Sequence, residues 1–225
     1  MNEATTDATG EALSEINRQI AASCKIAGRN RNAVQLIAVS KTRTAQEIQP
    51  LLNAGHRVFG ENRVQEAQAK WPTLRTAFPD VELHLIGQLQ SNKAGEAVAA
   101  FDYIHSLDRL SLVKALGKAM REQSKTVPCF LQVNIGAEEQ KGGCAIAEIP
   151  QLLATAKNEG APIIGLMCLP PAGLEAAPFF ALLAELAARN GLSQLSMGMS
   201  DDFGTAIMLG ATHIRVGTAL FGQRA

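Results

Sequence analysis

Short apolar runs alternate with amphipathic helical stretches from end to end of this chain, and this alternation constrains the fold more than any other feature. Runs of four to seven residues suit strands that are buried on both faces, whereas the stretches between them repeat with helical periodicity. The predicted strands are LIAVS (36–40), RVFG (57–60), ELHLIG (82–87), YIHS (103–106), PCFLQVN (128–134), PIIGLM (162–167), QLSMG (194–198) and HIRVG (213–217). The predicted helices include TAQEIQPLLNAG (44–55), RLSLVKALGKAMREQ (109–123), EIPQLLATAKNEG (148–160) and FFALLAELAARNG (179–191).

Eight strand–helix units in 225 residues predict one (β/α)8 barrel, near the lower size limit of that fold. An open doubly wound sheet is the alternative. That fold more often carries a G-x-G-x-x-G turn after its first strand, where this chain has SKTRTAQ. No linker or change of composition divides the chain, so we expect a single domain over residues 1–225, with residues 1–10 as a disordered tail.

The composition excludes several classes of function. The chain has 21 basic and 21 acidic residues, and this balance disfavours binding to nucleic acid or to a membrane surface. No apolar run is long enough to span a membrane, and the first residues do not resemble a secretory signal. Four scattered cysteines without metal-ligand spacing indicate reduced thiols. We therefore expect a cytoplasmic protein, and a monomer.

A lysine directly follows the first predicted strand, in the segment LIAVSKTR. Lys41 would lie at the carboxyl end of the barrel strands, the end at which barrel proteins keep their chemistry. A lysine that loses part of its solvation there has a lowered pKa and can attack an aldehyde. A solvated loop lysine is the alternative interpretation.

The end of the chain predicts an anion site. In barrels, the loops after strands seven and eight often bind phosphate through backbone N–H groups and a helix N-terminus. Ser200 is the expected N-cap hydroxyl of the helix after strand seven. Gly217 allows close approach of an anion after strand eight, and Thr218 adds a hydroxyl and an N–H group.

Two carboxylates complicate this interpretation. Asp201 and Asp202 would compete with a phosphate if they pointed into the cup. We favour the view that they stabilise the first helical turn through the helix dipole and point sideways.

Arg215 lies within the last predicted strand and must find an acceptor. A structural ion pair is one possibility, and donation to a ligand atom at the mouth of the barrel is the other. A lysine, a phosphate cup and an arginine between them together fit pyridoxal 5'-phosphate (PLP), which offers an aldehyde, a phosphate and a ring nitrogen.

Seven segments of the chain, in this order, resemble the pyridoxal-phosphate homeostasis protein family, which is related to the barrel domain of alanine racemase. They are AVSKTR, FGENRVQE, HLIGQLQSNK, VNIGAEEQKGG, GLMCLPP, SMGMSDDFGTAI and HIRVGTALFG. The resemblance extends over 36–222 and implies an alanine racemase-like barrel that binds PLP.

The resemblance also implies which residues contact the cofactor, and it implies no catalytic residue. The implied cofactor contacts are Lys41 as the Schiff-base lysine, Ser200, Gly217 and Thr218 at the phosphate, and Arg215 at the pyridine nitrogen. Asn62 and Met199 are implied as further neighbours of the cofactor.

The resemblance leaves a carrier and an enzyme as alternatives. Racemisation needs bases on both faces of the substrate, and in the related racemases the second base is a tyrosine from an additional β-domain. The sequence ends three residues after the last motif, so we expect that domain to be absent, and the only tyrosine, Tyr103, begins strand four. We therefore expect a PLP carrier, with apo PLP-dependent enzymes as recipients, rather than a racemase-like enzyme.

The histidines and a charged loop complete the candidates. His84, His105 and His213 fall at the starts or middles of strands, so core or surface positions are expected rather than a metal site. The loop 138–143, with the sequence EEQKGG, is expected to be mobile at the mouth of the cavity, and a solvated charge cluster is its alternative.

Overall fold

Eight parallel strands form a closed barrel in the computed structural model, which describes residues 3–222. The strands are β1 (Gln35–Val39), β2 (Val58–Glu61), β3 (Glu82–Leu85), β4 (Tyr103–Leu107), β5 (Cys129–Val133), β6 (Ile163–Cys168), β7 (Gln194–Ser196) and β8 (His213–Val216). The helices are α1 (Glu3–Ile26), α2 (Ala45–Asn53), α3 (Val64–Ala77), α4 (Ala94–Ala100), α5 (Leu110–Gln123), α6 (Ile149–Glu159), α7 (Ala177–Arg189), α8 (Phe203–Met208) and α9 (Thr218–Phe221).

This architecture confirms the predicted (β/α)8 barrel. Each of the eight predicted strands is present, with its ends within two residues of the prediction. The strands were readable because barrel strands are covered on both faces and therefore appear as continuous apolar runs. β5, for example, is buried at all five positions.

Pairing between β1 and β8 closes the barrel. Leu36 is opposite Ile214, and Ile37 is opposite Arg215, in a parallel register. The closure brings the loop after β1 beside the loop after β8, although about 175 residues separate them along the chain. The first and last candidate segments therefore meet at one end of the barrel.

An additional helix, α1, precedes the barrel and was missed in the sequence. Leu13, Ile16, Ile20 and Cys24 form its buried stripe at helical spacing. This stripe packs against the outer helices α2, α8 and α9. The structure assigns residues 3–10 to the same helix, so the predicted tail is corrected there, because the helix continues in the N-terminal direction from its packed stripe. Residues 1 and 2 lie outside the described residues.

The barrel interior is unusually polar. Barrel interiors are mostly filled by branched aliphatic side chains, whereas His84, His105, Ser196 and Arg215 are all buried here. The sequence left core and surface positions open for the histidines, and the structure buries His84, His105 and His213. Across residues 3–222, no helix combines the length and the apolar character that crossing a membrane requires.

Replacement of Ile20 by alanine tests the role of α1. Ile20 is 0% exposed, so Ile20→Ala should lower the free energy of unfolding by about 3 kcal/mol through lost burial and a cavity. Ile26 belongs to the same helix but is 76% exposed, so Ile26→Ala should change stability by less than about 0.5 kcal/mol. Urea denaturation measures both changes, and equal effects would contradict the packing of α1.

Candidate functional site

A pocket of about 340 Å³ opens at the carboxyl ends of the strands. All seven residues that the sequence predicted for the cofactor line it. Lys41 follows β1, Asn62 follows β2, and Met199 and Ser200 follow β7. Arg215 lies in β8, and Gly217 and Thr218 follow it. The complete lining is Val39, Lys41, Asn62, Ile86, Leu169, Met199, Ser200, Asp201, Arg215, Gly217 and Thr218.

Arg215 forms the buried end of the pocket and is 4% exposed. Its Nη1 donates to Ser196 Oγ at 2.6 Å, and its Nη2 donates to the carbonyl oxygen of Cys168 at 2.9 Å. Burial lowers the pKa of Arg215 from its usual value, yet an arginine remains protonated in proteins. Both acceptors are neutral, so Arg215 brings a net positive charge to the pocket.

The segment after β8 has the features of an anion cup. Thr218 is the first residue of α9, so its amide lacks an intrahelical acceptor. A Cβ added to Gly217 would lie 3.3 Å from the Cβ of Val39, so the backbone here passes tightly against the end of β1. Ser200 approaches the same pocket from the segment after β7.

Two details of the segment after β7 differ from the prediction. The helix begins at Phe203 with Asp202 as its N-cap residue, so Ser200 is not the N-cap. The Oδ1 atom of Asp202 instead accepts the amide of Met199 at 2.6 Å, which turns the chain before the helix begins. Asp202 is not among the pocket-lining residues, in line with the predicted sideways orientation, whereas Asp201 lines the pocket and departs from it.

Asn62 reaches the pocket because two loops approach each other closely. A Cβ added to Gly87, just after β3, would lie 2.3 Å from the carbonyl oxygen of Asn62. No side chain fits in that space, so glycine is required at position 87. The glycine in HLIGQ is therefore the sequence signal for the position of Asn62.

Lys70 holds the loop that carries Lys41, and sequence reasoning missed it. Its Nζ donates to the carbonyl oxygens of Ser40 at 3.0 Å and Arg43 at 2.9 Å, on both sides of Lys41. The same Nζ lies 2.7 Å from Oε1 of Glu61, which is fully buried. Ser40 Oγ also donates to Glu61, at 2.6 Å. A buried ion pair thus fixes both ends of the lysine loop.

The loop has a second attachment to α3. Glu66 accepts the amide of Thr42, which adopts a positive φ of 62°. A β-branched residue at such an angle is strained unless its surroundings hold it in place. Glu66 and Lys70 are four residues apart on one helix face. This spacing, after the FGEN segment, was the sequence signal that could have indicated their contact with the Lys41 loop.

The other candidates lie outside this constellation. Lys93 pairs with Glu96, and Lys141 pairs with Glu138 in the EEQKGG loop. The side chain of Asn134 braces that loop by donating to the carbonyl oxygen of Glu138 at 2.8 Å. Among the described residues, no three histidine, cysteine, aspartate or glutamate side chains are grouped in a way that could hold a metal ion.

The fold and the site define a class of protein. Residues 13–225 match the family described as "Alanine racemase, N-terminal domain". An alanine racemase of Clostridium difficile 630 has the same fold, with a TM-score of 0.67 at 11% identity, and the chain spans 56% of it.

Comparison with individual proteins narrows this class. Pyridoxal phosphate homeostasis proteins of Aquifex aeolicus and Pseudomonas aeruginosa are 38% and 39% identical to the chain; each alignment covers 95% of the chain, and 97% and 95% of the relatives. The structure of PipY from Synechococcus elongatus PCC7942 with PLP bound is similar at a TM-score of 0.79 and 40% identity, covering 95% of this chain and 100% of PipY. The chain belongs to the pyridoxal phosphate homeostasis protein family.

Replacement of Lys70 by methionine tests the anchoring of the lysine loop. The Lys70 side chain is 8% exposed and its partner Glu61 is 0% exposed, so Lys70→Met leaves a buried carboxylate without its cation. We expect a loss of about 3 kcal/mol in the free energy of unfolding. Lys118 pairs with Glu122 at 3.7 Å with 72% exposure, so Lys118→Met should cost less than about 0.5 kcal/mol. Equal losses in urea denaturation would show that the Lys70 pair is not special.

Proposed function

We propose that this protein binds PLP in the pocket at the carboxyl end of the barrel and acts in intracellular PLP homeostasis as a carrier rather than an enzyme. One observation carries the proposal. A lysine, a buried arginine and a cup of backbone and hydroxyl donors line one pocket. Membership of the pyridoxal phosphate homeostasis protein family supports it, as does the PLP-bound structure of PipY.

The donor set fits the cofactor. When bound, PLP supplies an aldehyde, a phosphate and a pyridine ring. Ser200, Gly217 and Thr218 would hold the phosphate through hydroxyl and amide donors. Arg215 would donate to the ring nitrogen, and Asn62 and Met199 would contact the cofactor from the side of the pocket. A volume of about 340 Å³ lies within the usual range for small-molecule sites.

Lys41 would bind the cofactor covalently. Its amine nitrogen would be the group that holds PLP, and the cofactor would supply the aldehyde for that bond. The carbonyl contacts of Lys70 on both sides of Lys41 hold the loop backbone. This restraint lowers the entropy that Lys41 loses on reaction.

The residues of the pocket favour a carrier over a racemase. Its titratable side chains, within the described part of the chain, are Lys41, Asp201 and Arg215. Arg215 stays protonated, and Asp201 is exposed to water at the rim. Tyr103 stacks on His84 with ring centroids 4.6 Å apart, at the start of β4 and away from the pocket. A protonated arginine on the ring nitrogen also weakens the electron sink that carbanion chemistry requires.

The proposal also covers the recipients of the cofactor, the oligomeric state and the cellular compartment. The recipients would be apo forms of PLP-dependent enzymes, and the protein would act as a monomer. All four cysteines are free and buried, as suits the reducing cytoplasm. Burial raises the pKa of the Cys129, Cys144 and Cys168 thiols to about 12, so these thiols are poor nucleophiles.

Borohydride reduction of the PLP-loaded protein tests the covalent site. Peptide mass mapping should place the pyridoxyl adduct on Lys41, and Lys41→Ala should abolish the visible absorbance band of the bound cofactor. Lys93→Ala is the matched control, because Lys93 pairs with Glu96 outside the pocket and should leave the band intact. An adduct on Lys93 or Lys141 alone would contradict the assignment.

Amino-acid turnover and cofactor transfer together test the carrier. In deuterated water, the loaded protein should exchange the α-hydrogen of L-amino acids no faster than free PLP does. The loaded protein should also restore activity to an apo PLP-dependent enzyme. The rate of this reactivation is compared with that given by Lys41→Ala loaded with PLP to the same occupancy. Many exchange events per protein molecule would support a racemase-like enzyme instead, and failure to reactivate would contradict the delivery role.

A further inference from the structure

A chain of hydrogen bonds crosses the barrel interior from its floor to the pocket. Arg215 Nη1 donates to Ser196 Oγ at 2.6 Å, and Ser196 Oγ lies 2.8 Å from His105 Nδ1. His105 Nε2 lies 2.8 Å from His84 Nδ1, and His84 Nε2 lies 2.8 Å from Glu82 Oε1. β8, β7, β4 and β3 each contribute to this chain, which we name the interior chain.

The charges at the two ends give the interior chain one direction. Glu82 is ionised at neutral pH: burial acts to raise its pKa, hydrogen bonds from His84 and Gln35 act to lower it, and the net shift is downward. A carboxylate only accepts, so His84 must donate from Nε2 and accept at Nδ1. His105 must then donate from Nε2 and accept at Nδ1.

Ser196 completes the same sequence of donors. Its hydroxyl hydrogen goes to His105 Nδ1, which leaves its oxygen to accept from Arg215, a group that can only donate. Burial lowers the pKa of both His84 and His105, so both rings are neutral, as this assignment requires. Every bond therefore points from Arg215 toward Glu82.

Burying these polar side chains costs desolvation free energy, which points to a functional role for the interior chain. The His84, His105 and Ser196 side chains are each 0% exposed, where aliphatic side chains would fill a barrel without desolvating polar groups. Polar networks in such surroundings fix one geometry when every member has its partner.

Arg215 keeps donors for a ligand. Ser196 Oγ and the carbonyl oxygen of Cys168 accept one hydrogen bond each, from Nη1 and Nη2. The other N–H groups of the guanidinium remain where Arg215 lines the pocket.

We propose that Ser196, His105 and His84 are positioning residues that hold the Arg215 guanidinium as a hydrogen-bond donor toward the ring nitrogen of PLP. The proposal rests on the proposed PLP site and adds the source of its selectivity for the pyridine nitrogen. The fixed hydroxyl of Ser196 prevents Arg215 from turning toward another acceptor. The ring nitrogen then meets a donor that cannot give up its proton, and it remains unprotonated.

The first test uses the protein without PLP. Nitrogen-15 NMR of the histidine rings at neutral pH should show His84 and His105 both neutral, with the proton on Nε2 in each. In Ser196→Ala, His105 loses its donor at Nδ1, and its ring signals should shift or broaden. A proton on Nδ1 of either ring in the natural sequence would overturn the interior chain whether or not the protein binds PLP.

The second test compares PLP with its analogue in which a CH group replaces the ring nitrogen. Ser196→Ala should weaken PLP binding about tenfold but change binding of the analogue less than about twofold. Ser196→Thr restores a hydroxyl and should recover most of the PLP affinity. Ser106→Ala is the matched control, because the buried Ser106 hydroxyl has no hydrogen-bond partner among the described residues.

The outcomes separate this proposal from the proposed function. Equal losses for PLP and the analogue in Ser196→Ala would show a general structural effect and overturn the ring-nitrogen role. Unchanged PLP binding in Ser196→Ala would overturn it as well. A natural sequence that binds neither compound contradicts the proposed PLP site itself, and the ring-nitrogen role with it, while the tautomers still decide whether the interior chain exists.

Discussion

Closure of the barrel by β1 and β8 is the constraint on which the rest of the structure depends. It sets Ile37 opposite Arg215 and brings the loop carrying Lys41 against Gly217, from opposite ends of the sequence. Neither loop alone encloses a pocket. Because parallel strands all point their carboxyl ends the same way, the closure gathers the lysine, the anion cup and the arginine on one rim.

Two cations, the partly buried Lys70 and the buried Arg215, then define which ligands the pocket can bind. Lys70 lies outside the pocket and neutralises Glu61 while it fixes the loop of Lys41. Arg215 lies inside, and neutral acceptors hold it. The charge of Lys70 is balanced by the Glu61 carboxylate, so Lys70 makes the loop rigid and adds little electrostatic potential to the pocket. Among residues 3–222, Arg215 has no carboxylate within ion-pair distance, so its charge remains available to a ligand.

Local patterns predicted the strands and the rim positions of Lys41, Ser200, Arg215, Gly217 and Thr218. The family resemblance alone pointed to Asn62 and Met199. Buried parallel strands are continuous apolar runs, and residues that follow such runs lie at one rim. The role of Lys70 could not be read in this way, because its acceptors lie about 30 positions away. The N-cap at Asp202 instead of Ser200 depends on one short turn, and the interior chain depends on side chains from four strands.

The pairing of the last barrel strand, β8, with the first strand also has a consequence for synthesis. Until residues 213–218 leave the ribosome, β1 has an unpaired edge, and the nascent chain lacks Arg215, Gly217 and Thr218. Contacts between distant segments form slowly, so the pocket forms only after the other seven strands have been made. A ligand that contacts both the loop after β1 and the loop after β8 binds only the closed barrel. It therefore shifts the folding equilibrium toward the closed form and distinguishes closed barrels from open ones.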